Sequence, residues 1–314
     1  VQTCALPICA IAIDQDHPDT LWAGTGETWT RNSVSAGDGI YRSADGGETW
    51  KKCGLEKSER ISRIVIHPSD KNTVYAAVPG ALWSDSEERG LFRTNDGGTT
   101  WKKILFIDNK TGCADVAMDP SDPNILYAAT WEFRRRPWSF SSGGKNSAIY
   151  KSTDGGNTWK KLDKGLPSGN LGRIALAVSP ADNKVVYASI ESKESAVYRS
   201  NDKGESWTKM GTHTYVIERP FYFSRLVADP KDPNRIYKGG FSMIISVDGG
   251  KSFSPLKGGA HSDHHDIWIN PQNPESFILG TDGGIYITHD RGAHFFSCRN
   301  LPVGQFYHVA YDEE

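Results

Sequence analysis

The 314-residue sequence has no long apolar run and no stretch of sustained helical period, which excludes a chain built on membrane-spanning helices or on packed helices. It also lacks an excess of either charge. Thirty-six Lys and Arg against 38 Asp and Glu give a net charge of -2, which excludes a basic nucleic-acid footprint over the whole domain. Its five cysteines (Cys4, Cys9, Cys53, Cys113, Cys298) show neither metal-type pairing nor a dense disulfide pattern, so they identify no compartment. What is present in quantity is glycine (32) and tryptophan (10), the composition of a turn-rich β protein.

Much of that glycine and tryptophan falls in one repeated phrase. SADGGETW (Ser43 to Trp50) recurs as TNDGGTTW (Thr94 to Trp101), STDGGNTW (Ser152 to Trp159) and SNDKGESW (Ser200 to Trp207). Two looser copies end in Phe253 and Phe295. The six aspartates, Asp45, Asp96, Asp154, Asp202, Asp248 and Asp290, are spaced 51, 58, 48, 46 and 42 residues apart, the signature of a repeat architecture. Upstream of each lies a second phrase, such as IVIHPSDKNTVYAA (Ile64 to Ala77) and VAMDPSDPNILYAA (Val116 to Ala129). Each reads as a strand, a Pro/Asp/Asn turn and a second strand. A third strand leads into the Asp turn and a fourth leaves it. Four antiparallel strands per unit of roughly 45 residues make one propeller blade.

The expected fold is therefore an all-β propeller, with blades near 9–60, 61–112, 113–170, 171–222, 223–262 and 263–304. A further blade starts at 305–314, giving a seven-bladed ring when complete. The stretch Val1 to Ile8 (VQTCALPI) reads as translated sequencing-library adapter and is set aside. On that reading the natural N-terminus, and any signal peptide, precede the fragment.

Each Asp turn has a structural explanation. The aspartate accepts backbone N–H bonds, the second glycine supplies positive φ, the leading Ser or Thr bonds the same loop, and the Trp packs between strands. Calcium binding is the alternative, but each loop offers too few carboxylates.

Up-and-down strand order puts the uniform Pro and Asp turns on one face. The irregular insertions fall on the other, at 25–38, 79–89 and 130–146, with the blade links 211–224 and 258–266. Candidate ligand contacts there are Trp29, Arg31, Trp83, Trp131, Arg134, Arg135 and Trp138. Aromatic rings beside charges suit sugar stacking or peptide capture; equally, the insertions could pack on one another. Aligning the inner strands on their prolines places Arg63, Asp115, Arg225 and Asp266 around the channel mouth, as ligand groups or as inter-blade ion pairs, with Arg173 nearby. The run His261-Ser-Asp263-His264-His265-Asp266 adds His264 and His265 as ligand contacts. His261, Asp263 and His265 are the possible metal ligands, although strand alternation sends His264 and Asp266 one way and His265 the other. Neither a metal nor a cofactor is expected.

The S/T-x-D-x-G-x-T/S-W/F copies resemble the Asp-box, or BNR, repeat of sialidases, oligoxyloglucan-specific glycoside hydrolases and sortilin-type receptors. The combination RNSVSAGDGIYRSADGGETW, WEFRRRPWSFSSGG and HSDHHDIWINP is similar to bacterial sortilin-like, glycosyl-hydrolase-like proteins. No Arg-Ile-Pro motif is present, so the sialidase chemistry that the resemblance would imply is not expected. A xyloglucanase-like enzyme implies two facing carboxylates, for which register nominates Asp115 and Asp266 as catalytic pair. A sortilin-like protein implies only a binding mouth. The expectation is an extracytoplasmic propeller, secreted, periplasmic or at the cell surface, from a larger bacterial protein with further domains. It binds glycan or peptide on the insertion face, without nucleic acid and without direct insertion into a membrane. The alternative is a glycoside hydrolase.

Overall fold

In the computed structural model, residues 8–31 and 34–300 are described. Val1 to Pro7 and the strand expected at 305–314 lie outside them; Ile8, grouped by sequence with the adapter stretch, opens the first strand opposite Thr25.

Six antiparallel sheets follow one another, five of them four-stranded with strands in chain order and the third with the same four strands plus one added by an insertion. Their inner strands are Ile8–Ile13, Arg63–His67, Thr111–Asp119, Ile174–Val178, Leu226–Ala228 and His264–Ile269. The chain is an all-β propeller. One departure from uniformity matters for the site. The second strand of blade 3 runs on through Asp122–Arg136 and turns back as Ser139–Ser142, so the 130–146 insertion is a β-hairpin rather than an irregular loop. The one helical turn among the described elements, Thr214–Ile217, lies in the link between blades 4 and 5.

The Asp box folds as its chemistry dictates. In blade 3, Ser152 Oγ donates to Asp154 Oδ1 at 2.7 Å and accepts from Gly156 N at 2.8 Å. Asp154 accepts from the N–H groups of Asn157 and Thr158 and from the Thr158 hydroxyl. Both glycines take positive φ (67° and 90°), one more than expected. In blades 4 and 6 Lys203 and Arg291 hold the first of these positions at 57° and 58°. The tryptophan ring behaves variably: Trp207 is buried, whereas Trp50 remains exposed with its Nε1–H on its own Gly47 carbonyl.

The Thr158 hydroxyl and the two N–H groups stabilise the Asp154 carboxylate and lower its pKa from 3.8 to about 2. Asp45, Asp96 and Asp248 are lowered in the same way, led by the hydroxyls of Thr49, Thr100 and Ser252. With the folded pKa depressed, the stabilisation is present above 3.8 and is lost as pH falls through about 2. Thermal stability is expected to fall steeply between those values, and Asp154→Asn should both lower Tm at neutral pH and shrink the acid-dependent loss. An unchanged acid profile would contradict this.

Packing runs between blades. Alternate residues of each inner strand point back to the preceding blade or forward to the next. Ala12, Trp22 and Ile40 of blade 1 pack on Ile64, Val74 and Phe92 of blade 2, and five such inter-blade cores link the six sheets. Tyrosines of the second strands extend the join to the Asp-turn face. Tyr75 Oη donates to Gly155 O (3.0 Å), Tyr127 to Lys203 O (2.9 Å) and Tyr187 to Pro233 O (2.7 Å). A sixth core, Leu82, Ala114, Trp131 and Phe133 with Val34, Phe140 and Phe221 against it, lies among the insertions.

Candidate functional site

On the insertion face, arginine side chains tie neighbouring loops together through backbone carbonyls. Arg173, at the start of blade 4, is buried. It donates to Thr28 O at 2.7 Å and to Phe221 O at 2.9 Å, tying the 25–38 insertion to the 211–224 link. Its guanidinium also lies 5.1 Å from the centre of Trp29 and 5.0 Å from that of Trp131. Arg60 reaches Glu27 O and Gly80 O, and fully buried Arg89 reaches Pro79 O and Ala81 O. The guanidinium fork suits this task, because carbonyls of unpaired loop backbone need donors at fixed angles.

Trp131 is 1 % exposed, stacked on Phe133 at 4.1 Å, with its Nε1–H on Ser142 Oγ. Ser142 in turn donates to Glu191, whose pKa is raised by burial. Trp131 and Arg173, nominated as ligand contacts, are thus interior supports of the surface in this arrangement. Arg135 is half-buried beside them. Its backbone N–H bonds Leu82 O, and its guanidinium lies 5.5 Å from the Phe140 ring centre. Sequence reasoning left these groups between ligand contact and packing of the insertions on one another, because charge and aromaticity look the same whether they bind loops or solutes.

The channel mouth holds ion pairs. Arg63 lies 3.8 Å from Asp115, and Arg225 Nε 2.6 Å from Asp266. Asp115 accepts from Val116 N through Oδ1 and from Leu176 N, in the next blade, through Oδ2. Burial raises its pKa, with Arg63 acting against the shift. Arg63, Arg225 and Asp266 line a cavity of about 410 Å³ that extends along the inner strands of blades 1 and 2.

The histidine run is split by a break in strand register between His264 and Asp266, so the strict alternation expected there does not hold. His264 is buried, accepting from Met243 N and meeting His261 O at 2.6 Å. Asp266 enters the channel ring. His265 goes to a third environment, its Nε2 2.9 Å from Asp282 Oδ1 and its ring 5.6 Å from Trp29 and from Tyr222 and 5.8 Å from Phe223. Arg31, ion-paired to Glu27 at 2.6 Å, also feels the charge of Asp282. Among the described residues no group of three or more His, Cys, Asp or Glu side chains converges as a metal site, so His261, Asp263 and His265 stay apart. Asp282, in the short turn between the second and third strands of blade 6, is the partner of His265 and was not among the residues nominated from the sequence.

Two nominated residues stand open to solvent. Trp138, at the hairpin tip, is 79 % exposed and Trp83 46 %. The insertions that carry them are joined, because Arg135 N bonds Leu82 O, while Arg134 Nη1 bonds Trp83 O and its Nη2 pairs with Asp85. Alongside lies a groove of about 260 Å³ lined by Asp85, Lys110, Glu132, Arg134, Arg136 and Ser141.

Comparisons with known proteins fit this architecture. A family model described as "Sortilin, neurotensin receptor 3" matches residues 38–167. A probable oligoxyloglucan-reducing end-specific xyloglucanase of Neosartorya fischeri is 24% identical over 282 residues, covering 82% of this chain and 32% of that protein. A xyloglucanase of a Paenibacillus species is 28% identical over 179 residues, 52% of this chain and 17% of the relative. The chain thus spans about a third or less of the length of these relatives. Among solved structures, an ancestral GH74 enzyme matches 90% of this chain and 36% of its own, with a TM-score of 0.67 at 15% identity, a likeness of fold. With six Asp-box blades, the chain is an Asp-box β-propeller, similar to sortilin over residues 38–167 and to xyloglucanases over a larger part of its length.

Proposed function

We propose that this propeller binds a glycan outside the cytoplasm, at the groove between the blade 3 hairpin and the 79–89 insertion. The observation that carries this reading is a groove of about 260 Å³ lined by polar and charged groups, with an exposed indole on each of the two insertions that form it, Trp83 and Trp138. Indole faces stack on sugar rings, and the charged lining supplies donors and acceptors for hydroxyls. The xyloglucanase names of the relatives support a saccharide over a peptide. No helix among the described residues is long and apolar enough to cross a membrane.

The hydrolase alternative, with Asp115 and Asp266 as acid and base, draws support from the same relatives. Against it stands their chemistry: each carboxylate is beside an arginine and accepts backbone N–H bonds, and both Asp115 oxygens are engaged.

Affinity electrophoresis against xyloglucan and other polysaccharides tests the binding reading. Trp138→Ala and Trp83→Ala are each expected to weaken retention about tenfold, equivalent to roughly 1.4 kcal/mol, with unfolding unchanged for the exposed Trp138. Retention by no polysaccharide, or variants that bind like the parent, would refute the assignment. Reducing-sugar release abolished by Asp115→Asn would establish the hydrolase instead.

A further inference from the structure

The blade 3 hairpin is apolar on one face and charged on the other. Alternation along Asp122–Arg136 turns Trp131 and Phe133 into the core among the insertions, and Glu132, Arg134 and Arg136 the opposite way. Register sets Ser141 against Arg134, on the charged face. The turn at 108–111, which links blades 2 and 3, brings Lys110 alongside. That turn is held from two sides. Asn109 O accepts from Ser86 N, in the 79–89 insertion, at 2.9 Å, and Asp108 Oδ2 accepts from Asn146 Nδ2 at 2.7 Å. These groups line the groove of about 260 Å³, and their backbone is fixed before any ligand arrives.

The charges in the groove do not cancel. Its lining holds three cations, Lys110, Arg134 and Arg136, against two carboxylates, Asp85 and Glu132. Asp85 is taken by Arg134. Glu132 is turned to the backbone behind it. Its Oε2 accepts from Asn146 N at 3.3 Å, and the carboxylate covers Gly144 so closely that a Cβ there would lie 2.2 Å from it. Arg136 and Lys110 are left exposed, and neither side chain has an ion pair or hydrogen bond to another described residue. We propose that the saccharide bound here, on the reading of this groove as a glycan site, is acidic, and that Arg136 and Lys110 receive a carboxylate borne on its ring. A guanidinium fork meets both oxygens of a planar carboxylate, and the ammonium adds a point charge beside it. The Ser141 hydroxyl and the second Glu132 oxygen are left for sugar hydroxyls.

Calorimetric titration of the full chain with an oligogalacturonide and with its methyl ester separates charge from ring shape. The acid is expected to bind roughly twentyfold more tightly than the ester, and to lose most of that advantage as ionic strength rises. Arg136→Gln and Lys110→Gln are each expected to weaken binding of the acid about fivefold and to leave the ester unchanged. Glu132→Gln removes a like charge and should tighten the acid about twofold, a gain that loosening of the fold would not produce. Acid and ester bound alike, acid binding indifferent to both Arg136→Gln and Lys110→Gln, or dextran sulfate held more tightly than polygalacturonate would each overturn the proposal and leave the glycan reading in place. Binding of no saccharide, xyloglucan included, would overturn both.

Discussion

Arg173→Ala is expected to destabilise the propeller by about 3 kcal/mol and to open its insertion face. The guanidinium is buried and holds two backbone carbonyls, Thr28 O and Phe221 O, that belong to different loops. Charge-assisted bonds of this kind contribute roughly 1.5–3 kcal/mol each, and truncation leaves both carbonyls without that donor. Contact with the Trp29 and Trp131 rings adds cation–π attraction in a desolvated setting. Because the lost bonds lie among loops, the change should not be spread evenly over the molecule. Proteolysis within the 211–224 link is expected to accelerate more than global unfolding does. Arg173→Lys should recover less than half the loss, since an ammonium keeps the charge but not the fork. A measured loss below 1 kcal/mol in urea unfolding, with the link still protected, would show that the loops close without this arginine.

The contrast between Arg173 and Asp154 explains how much the sequence discloses. Every bond of Asp154 lies within four residues, to Ser152, Asn157 and Thr158, so the motif and its geometry are one object. A repeat of such local motifs identifies the fold directly. The partners of Arg173 lie 145 and 48 residues away, and nothing in the local pattern distinguishes it from an arginine awaiting a ligand. The same holds for Trp131 and Trp138. They lie seven residues apart in one insertion, yet the hairpin buries the first and leaves the second in solvent. Register governs the histidine run as well. The break between His264 and Asp266 sends three neighbours to three places, and only His265 meets Asp282. Topology told which face carries the insertions; side-chain direction on that face depended on loop geometry that composition does not encode.

Lys238 gives the second large expectation, a pH dependence of folding. Its side chain is fully buried beside the same link, with Nζ donating at 2.7 Å to Phe223 O and at 2.7 Å to Gly239 O. Burial, and then the nearby charge of Arg173, lower its pKa from 10.5 to about 7. Two N–H bonds to two carbonyls match a neutral amine, whereas a third proton would need a further acceptor. Between about pH 7 and 10.5 the unfolded chain keeps the proton that the folded chain has given up. Stability therefore rises with pH across that window, and the penalty is present in full below pH 7. From pH 7 to 9 the parent is expected to gain about 2 kcal/mol relative to Lys238→Met, which has no such titration. Equal slopes for the two proteins in urea unfolding at a series of pH values would show that Lys238 stays charged. Removing Arg173 takes away a like charge, so Arg173→Ala should move the start of this rise to higher pH. That shift separates an electrostatic link between the two residues from simple loosening of the loop.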